Sequence, residues 1–337
     1  MHGRRQPITG WSGSRSSNPM ERQRHPKRVL LMVSSMRGGG SERQVLLLAQ
    51  SLDRSRFQPH LYLTEAVGDF LADVPADIPI HSFDTDTGSG GIYIPGRQLR
   101  RQTEFLRGVI HDQRIDVVYD RTFHMTLLAG KAAKRVRRVS TIVSPPHLAL
   151  PLVETRFVGL KRRRLAASYH GSDVVIAVSE QAAKSAESYY GLAPDSVVVV
   201  RNPVDTETLH HSTRQRPTSQ PGLTRLVCVG RMTEEKGHSD LIEALASVRD
   251  QWPESRGQLA VRFVGDGPLR SELETQTETL GLTSQVRFLG ALPNAANEIA
   301  AADALILPSR FEGMPNVVLE SMALGTPVIA TRAGGTI

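Results

Sequence analysis

From Val29 onward, short apolar runs alternate with longer stretches of helical spacing. The first run, Val29-Leu30-Leu31-Met32-Val33, is apolar at every position, the pattern of a strand covered on both faces. It runs into the turn Arg37-Gly38-Gly39-Gly40, after which residues 41–52 read as a helix with Ser41 as its cap residue. Strand-like runs follow at 59–63, 116–119, 140–143, 174–178 and 197–201, with helical stretches at 97–113, 125–135, 157–170 and 180–190. This order predicts a doubly wound parallel α/β domain over residues 29–206.

Residues 207–222 break the pattern. They lack apolar periodicity, include Arg216-Pro217-Thr218-Ser219-Gln220-Pro221-Gly222, and read as a linker. The alternation then restarts over 223–337, with strands at 226–229, 260–264, 286–288, 304–307 and 328–331 and helices at 239–248, 269–280, 294–301 and 316–324. Two α/β domains on one linker place a cleft between them, and ligands in such sheets bind outside the carboxyl ends of the strands.

The length of 337 residues suits two domains, and 39% hydrophobic with 22% charged residues is ordinary for a water-soluble fold. The net charge of +7 suggests nucleic acid until it is located. Residues 1–28 hold seven basic side chains against Glu21 alone, so nearly all the excess sits in a Gly-, Ser- and Pro-rich segment that reads as a disordered basic tail. That tail has no apolar core and does not read as a secretory signal, and no apolar run approaches a membrane-spanning length. The single cysteine, Cys228, lies in an apolar run and reads as a buried strand residue, consistent with a cytoplasmic location.

Three segments carry chemistry. In the first, Phe311-Glu312-Gly313-Met314-Pro315-Asn316 leads from a strand into a helix, with Pro315 suited to the first helical position and Gly325 to the stop. A helix N-terminus there favours an anion such as a diphosphate. Asn316 and Glu320 share one helix face, and the Glu320 carboxylate suits the paired hydroxyls of a ribose. The second segment, Gly230 to Gly237, carries Arg231 and Lys236, which suit the charge of a leaving diphosphate. The third is the glycine run, whose backbone N–H groups can approach a phosphate. A dinucleotide fingerprint beginning at Gly38 fails at Arg43, where it needs a glycine.

Taken in order, Gly39-Gly40-Ser41-Glu42-Arg43, Arg201-Asn202-Pro203-Val204-Asp205, Arg231 with Lys236, Gly265-Asp266-Gly267-Pro268, Glu312 with Glu320 eight residues on, and Gly325-Thr326-Pro327 resemble the family-four retaining glycosyltransferases from about Val29 to the chain end. The resemblance implies a GT-B fold, two Rossmann-like doubly wound domains facing across a cleft. It implies hexosyl or hexosaminyl transfer from a nucleotide-sugar donor to a glycan or lipid-linked acceptor with retention of configuration. Arg231 and Lys236 would bind the donor diphosphate and Glu320 the ribose. Glu312, with Gly313, Met314, Pro315 and Asn316, would hold sugar and phosphate, and Gly39 and Gly40 would approach from the other domain. A family histidine near the transferred sugar matches His147, with His124 as a weaker match. No Asp-x-Asp metal motif is present, so no metal or other cofactor is expected, the nucleotide-sugar being a co-substrate.

The family continues beyond Gly334-Gly335 with a glutamate, a strand and helices, so the resemblance makes the C-terminal domain incomplete. An inactive remnant, a nucleotide-binding subunit and a nucleotide-sugar epimerase are the competing readings. Two basic stretches, Lys161 to Arg164 and the group Lys131, Lys134, Arg135, Arg137 and Arg138, suggest peripheral docking on an anionic membrane surface. Nucleic acid is not expected, because no aromatic residues interleave with these charges.

Overall fold

The computed structural model describes residues 25–84, 96–213, 222–249, 251–252 and 257–335. The first domain is built on β1 (Lys27–Met32), β2 (Phe57–Leu63), β3 (Ile80–Ser82), β4 (Val117–Arg121), β5 (Arg137–Ile142), β6 (Val174–Ala177) and β7 (Val197–Val199). They form a parallel sheet in the order β3-β2-β1-β4-β5-β6-β7. The second domain is built on β8 (Leu223–Val229), β9 (Gln258–Val264), β10 (Val286–Gly290), β11 (Ala304–Leu307) and β12 (Val328–Ala330), parallel in the order β10-β9-β8-β11-β12.

The unbroken apolar runs follow from burial on both sheet faces. Leu30 and Met32 join Leu106, Val118 and Leu128 in one layer, while Val29 and Leu31 join Val45, Leu46 and Leu61 in the other. In the second sheet Cys228 and Phe263 pack with Leu241 and Ile242, and Val227 and Val264 with Ile299 and Leu305. Cys228 is buried, as its apolar flanks predict, and burial pushes its thiol up to about 12. In each sheet the strand order reverses once, between β1 and β4 in the first domain and between β8 and β11 in the second. A crevice opens at the carboxyl ends of the strands flanking such a reversal.

Several elements differ from the sequence reading. β1 starts at Lys27, inside the segment read as a tail: Lys27 Nζ lies 3.3 Å from Asp116 Oδ1, and Arg28 Nη1 donates to the Gln113 carbonyl at 3.0 Å. Residues 1–24 lie outside the described residues. The first helix is Gly40–Ser51 with Gly39 as its cap residue, so Ser41 sits within the first turn. The last helix is Asn316–Ala323, with Pro315 one position earlier than expected, at the cap, and Gly325 at φ +70° where the chain leaves it. The linker begins with a helix, Thr206–Ser212, which Asp205 caps by accepting from the Thr208 N–H at 2.9 Å. It packs on the Asn316–Ala323 helix and buries Leu209, while residues 214–221 lie outside the described residues. Arg138 is not part of a basic surface: it is 3% exposed and 3.6 Å from the buried Asp120 carboxylate, which also accepts from Thr126 Oγ1 and Ser140 Oγ.

His238, at the start of the helix His238–Arg249, is 3% exposed and packs on Phe263 with ring centroids 5.6 Å apart. Burial, and then the Lys236 charge, pulls its pKa from 6.5 to about 4. The unfolded chain protonates this ring near pH 6.5 and the folded chain only near pH 4, so its contribution to stability is complete above 6.5 and is lost as pH falls toward 4. Urea unfolding checks this: from pH 7 to pH 5 the native chain loses about 2 kcal/mol more than His238→Phe. Equal losses would mean the ring is solvated in the fold.

Candidate functional site

The two reversals face each other, and the loops at their strand ends carry most of the expected residues. After β8, the segment Gly230–Gly237 makes a 3₁₀ turn at Glu234–Lys236 and leaves through Gly237 at φ +64°. A side chain at 237 would strike the Pro308 carbonyl, so glycine is required where this loop lies against the one following β11. Arg310 clamps the same two loops: its N–H donates to the Glu235 carbonyl at 2.8 Å, and its guanidinium forks onto Asp240 with two bonds of 3.0 Å.

This junction brings Lys236 and Glu312 together. Lys236 Nζ donates to Glu312 Oε1 at 2.6 Å, and Ser309 Oγ donates to the same oxygen at 2.7 Å. The Glu312 side chain is 10% exposed and that of Lys236 24%, so the pair is largely shielded from solvent yet reachable from the cleft. A lysine has three N–H donors, and this bond uses one. Arg231, earlier on the same loop, is exposed.

From the first domain, the loop after β1 passes through Gly38 at φ +89° to Gly39 and Gly40. Gly39 lies against the Glu42 carboxylate. Burial lifts the Glu42 carboxyl above its usual range, opposed by a bond to its own backbone and by the charges of Arg121 and Arg231. One of those arginines ends β4 and the other follows β8, so Glu42 faces cations from both domains.

The domains meet through polar groups centred on Asn316. Its Oδ1 accepts from Asn202 Nδ2 at 2.9 Å and from Gln44 Nε2 at 3.3 Å, and its Nδ2 donates to the Gly40 carbonyl at 3.2 Å. Asn202 Nδ2 also donates to the Met314 carbonyl at 3.2 Å, and Asn202 Oδ1 accepts from Arg121 at 2.9 Å. Glu320, one turn along, accepts from Arg43 Nη1 at 3.2 Å. Gly313 rests directly on the Val143 carbonyl, and Gly334 on Gln181.

Lys236, Glu312, Gly313, Met314, Pro315, Asn316, Glu320 and Gly40 therefore gather at one domain junction, with Gly39 and Arg231 beside it. His147 stands apart from this cluster: it is exposed, and its Nδ1 bonds Ser185 Oγ at 2.6 Å. It is the second residue of the helix Pro146–Val153, three residues past the Ser144 that touches Gly313, at the rim of the junction. His124 bonds Gln102 Oε1 at 3.0 Å, and burial holds its pKa below the ordinary value. Arg43, Gln44, Arg121 and Asn202 also join the junction, without a role expected from the sequence. Asn202 was visible within Arg201-Asn202-Pro203, but nothing in that spacing reveals a partner in the other domain.

A methyl group at 313 would overlap the Val143 carbonyl, so Gly313→Ala must hold the domains apart. Small-angle scattering should show a larger radius of gyration for the variant while each sheet still melts cooperatively. An unchanged radius would show that the domains do not rest on this contact in solution.

A family model described as Glycosyltransferase Family 4 matches residues 38–208, and one described as Glycosyl transferases group 1 matches residues 224–337. The lipopolysaccharide core biosynthesis glycosyltransferase LpsD of Rhizobium meliloti (strain 1021) is 34% identical over 158 residues, 43% of this chain and 43% of that one. D-inositol 3-phosphate glycosyltransferase 2 of Catenulispora acidiphila is 32% identical over 176 residues, 49% of this chain and 41% of its own length. The chain thus spans about two-fifths of the length of the curated relatives it matches. Among solved structures, Anabaena Alr3699/HepE in complex with UDP and glucose superposes with a TM-score of 0.71 at 22% identity, over 91% of this chain and 81% of that one. Sucrose-phosphate synthase from Thermosynechococcus elongatus gives 0.74 at 18% identity, over 92% of this chain and 82% of that one. At such identities the two superpositions establish a shared fold.

Proposed function

The chain belongs to glycosyltransferase family 4, with the two-domain GT-B fold, and on that premise we propose that it moves a sugar from a nucleotide-sugar donor to an acceptor hydroxyl with retention of configuration. The observation that carries this reading is the Lys236–Glu312 pair at the β8/β11 reversal, its glutamate four residues before the Asn316 that meets Gly40 across the junction. A diphosphate needs cations and open N–H groups, and a hexose needs a carboxylate beside them. The second domain supplies both within two adjoining loops.

In this reading Arg231 and Lys236 neutralise the diphosphate as it leaves, where the largest charge develops. Glu312 and the chain from Gly313 to Asn316 hold the sugar, and Glu320 accepts from the ribose hydroxyls. The acceptor oxygen attacks the anomeric carbon from the face the diphosphate leaves. The bond to the diphosphate breaks as the bond to the acceptor forms, and the departing phosphate oxygen takes the acceptor proton. His147 at the rim belongs beside the transferred sugar once a substrate is bound. Two cations, Arg231 and Lys236, can serve in place of a divalent ion, so we expect turnover without added metal. A uridine diphosphate sugar is the first donor to try, because the Anabaena neighbour is in complex with UDP. The acceptor class we infer is a surface polysaccharide or glycolipid, in line with the lipopolysaccharide core relative.

Thermal unfolding with UDP, GDP and ADP in a chelating buffer tests the site. The matching nucleotide at a hundred times its dissociation constant should stabilise the fold by about 2.7 kcal/mol. Glu320→Ala should weaken that nucleotide roughly tenfold to a hundredfold, the worth of about 1.5–3 kcal/mol for bonds to a charged acceptor. Unchanged affinity in that variant would remove Glu320 from the ribose site. No stabilisation by any nucleotide of a cooperatively melting chain would overturn the donor site itself.

A further inference from the structure

Two helices that grow from the rim of the junction present a surface the sugar-transfer reading does not use. The helix Pro146–Val153 starts just after Val143 and Ser144, which touch Gly313, and the chain returns through the helix Val158–His170. Lys161 Nζ bonds Glu154 Oε2 at 2.8 Å and ties the two into a hairpin. Its outer side is apolar and open to water: Leu148 is 38% exposed, Leu152 45%, Val153 64%, Phe157 79% and Leu160 47%. Leu148 and Leu152 are one helical turn apart and share a face.

Phe157 is the sharpest of these observations. It sits at φ +57°, the left-handed region that a bulky side chain rarely adopts, while its ring projects into solvent. A strained backbone that exposes an aromatic ring contributes neither burial nor relaxed geometry to the fold, which points to a role outside it. The charges around it have one sign. Arg156, Arg163 and Arg164 are exposed, and between residues 146 and 172 the only acid is Glu154, already bonded to Lys161. Arg162 turns away, donating to the Tyr189 carbonyl at 2.7 Å with its guanidinium over that ring. The other basic stretch lies elsewhere: Lys131, Lys134 and Arg135 precede β5, on the amino-end side of the sheet, opposite the junction, and Arg138 is buried.

We propose that the hairpin spanning residues 146–164 docks the first domain on an anionic lipid bilayer, with Leu152, Val153, Phe157 and Leu160 entering the interface and Arg156, Arg163 and Arg164 meeting lipid phosphates. An apolar tip flanked by arginines has the composition of an interfacial anchor, and charge complementarity selects the anionic surface. Among the described residues no helix is long and apolar enough to cross a membrane, so the contact is a surface one. The docked hairpin sets the cleft rim against the bilayer, where an acceptor carried by a lipid would arrive.

The test uses the full chain and does not depend on sugar transfer. Co-sedimentation is measured with vesicles of phosphatidylcholine, alone or mixed with phosphatidylglycerol. We expect binding to the mixed vesicles, weakened by salt, and little to the neutral ones. Arg163→Ala combined with Arg164→Ala should lower partitioning roughly twenty-five-fold, at about fivefold for each basic residue near the surface. Phe157→Gly separates docking from folding: it relieves the positive φ, so the melting temperature should hold or rise while vesicle binding falls. Failure of the folded chain to bind mixed vesicles would overturn the proposal, as would undiminished binding by both variants. So would a concentration-dependent dimer abolished by Phe157→Gly, which would give the surface to a second copy of the chain.

Discussion

The amide of Asn316 holds the two domains face to face. Its oxygen takes one donor from Gln44 and one from Asn202, filling both lone pairs, and its nitrogen reaches the Gly40 carbonyl. Every one of these partners belongs to the first domain or to the chain leaving it. The junction is therefore polar, unlike the two apolar cores on either side. Each such bond contributes only about 0.5–1.5 kcal/mol net, because water satisfies the same groups when the domains part. Domains joined in this way move relative to one another by default. A ligand that contacts both loops then needs only modest differential affinity to select the closed arrangement.

Electrostatics follow the same logic. Lys236 is held by Glu312, Arg43 by Glu320, and Glu42 lies in the field of Arg121 and Arg231. Three carboxylates thus face four cations, so each cation has a carboxylate in reach and the set keeps an excess of one positive charge. On the proposed reading, a diphosphate would add negative charge to this set and meet that excess. The Arg43–Glu320 contact crosses the domains, with 42% of the arginine side chain exposed and 11% of the glutamate. Its own worth is small at that exposure. Its consequence is geometric: it occupies one oxygen of Glu320 and fixes the other.

The alternation of apolar runs and helical stretches was enough to read both parallel sheets, because strands buried on two faces announce themselves without any partner being known. What escaped the pattern was short or chemically mixed. β3 has three residues and lies at a sheet edge with Ile80 42% exposed, so it carries almost no apolar signal. The helix Pro146–Val153 contains Pro146 and Pro151, which argue against a helix by propensity; the first sits where N–H groups have no partner anyway, and the second costs one bond in a segment of eight residues. The helix Thr206–Ser212 reads as polar linker because its packing rests on Leu209 against the second domain, a contact that local spacing does not reveal.

The site divides along the same line. Residues whose roles follow from local chemistry, such as a lysine or a glutamate on a loop at a strand's carboxyl end, were visible as candidates. Arg43, Gln44 and Asn202, whose partners lie in the other domain, carried no local sign of that role. Arg43 shows the difference most clearly. In the sequence it served only to exclude a dinucleotide fingerprint, since it stands where a glycine is required. In the fold the first helix carries it across the junction to Glu320, 277 residues further along the chain. In that fingerprint the third glycine lets the helix pack closely on the strands; the arginine here brings a charge to the second domain instead. The position that departs from one phosphate-binding pattern thus helps to build a site from two domains.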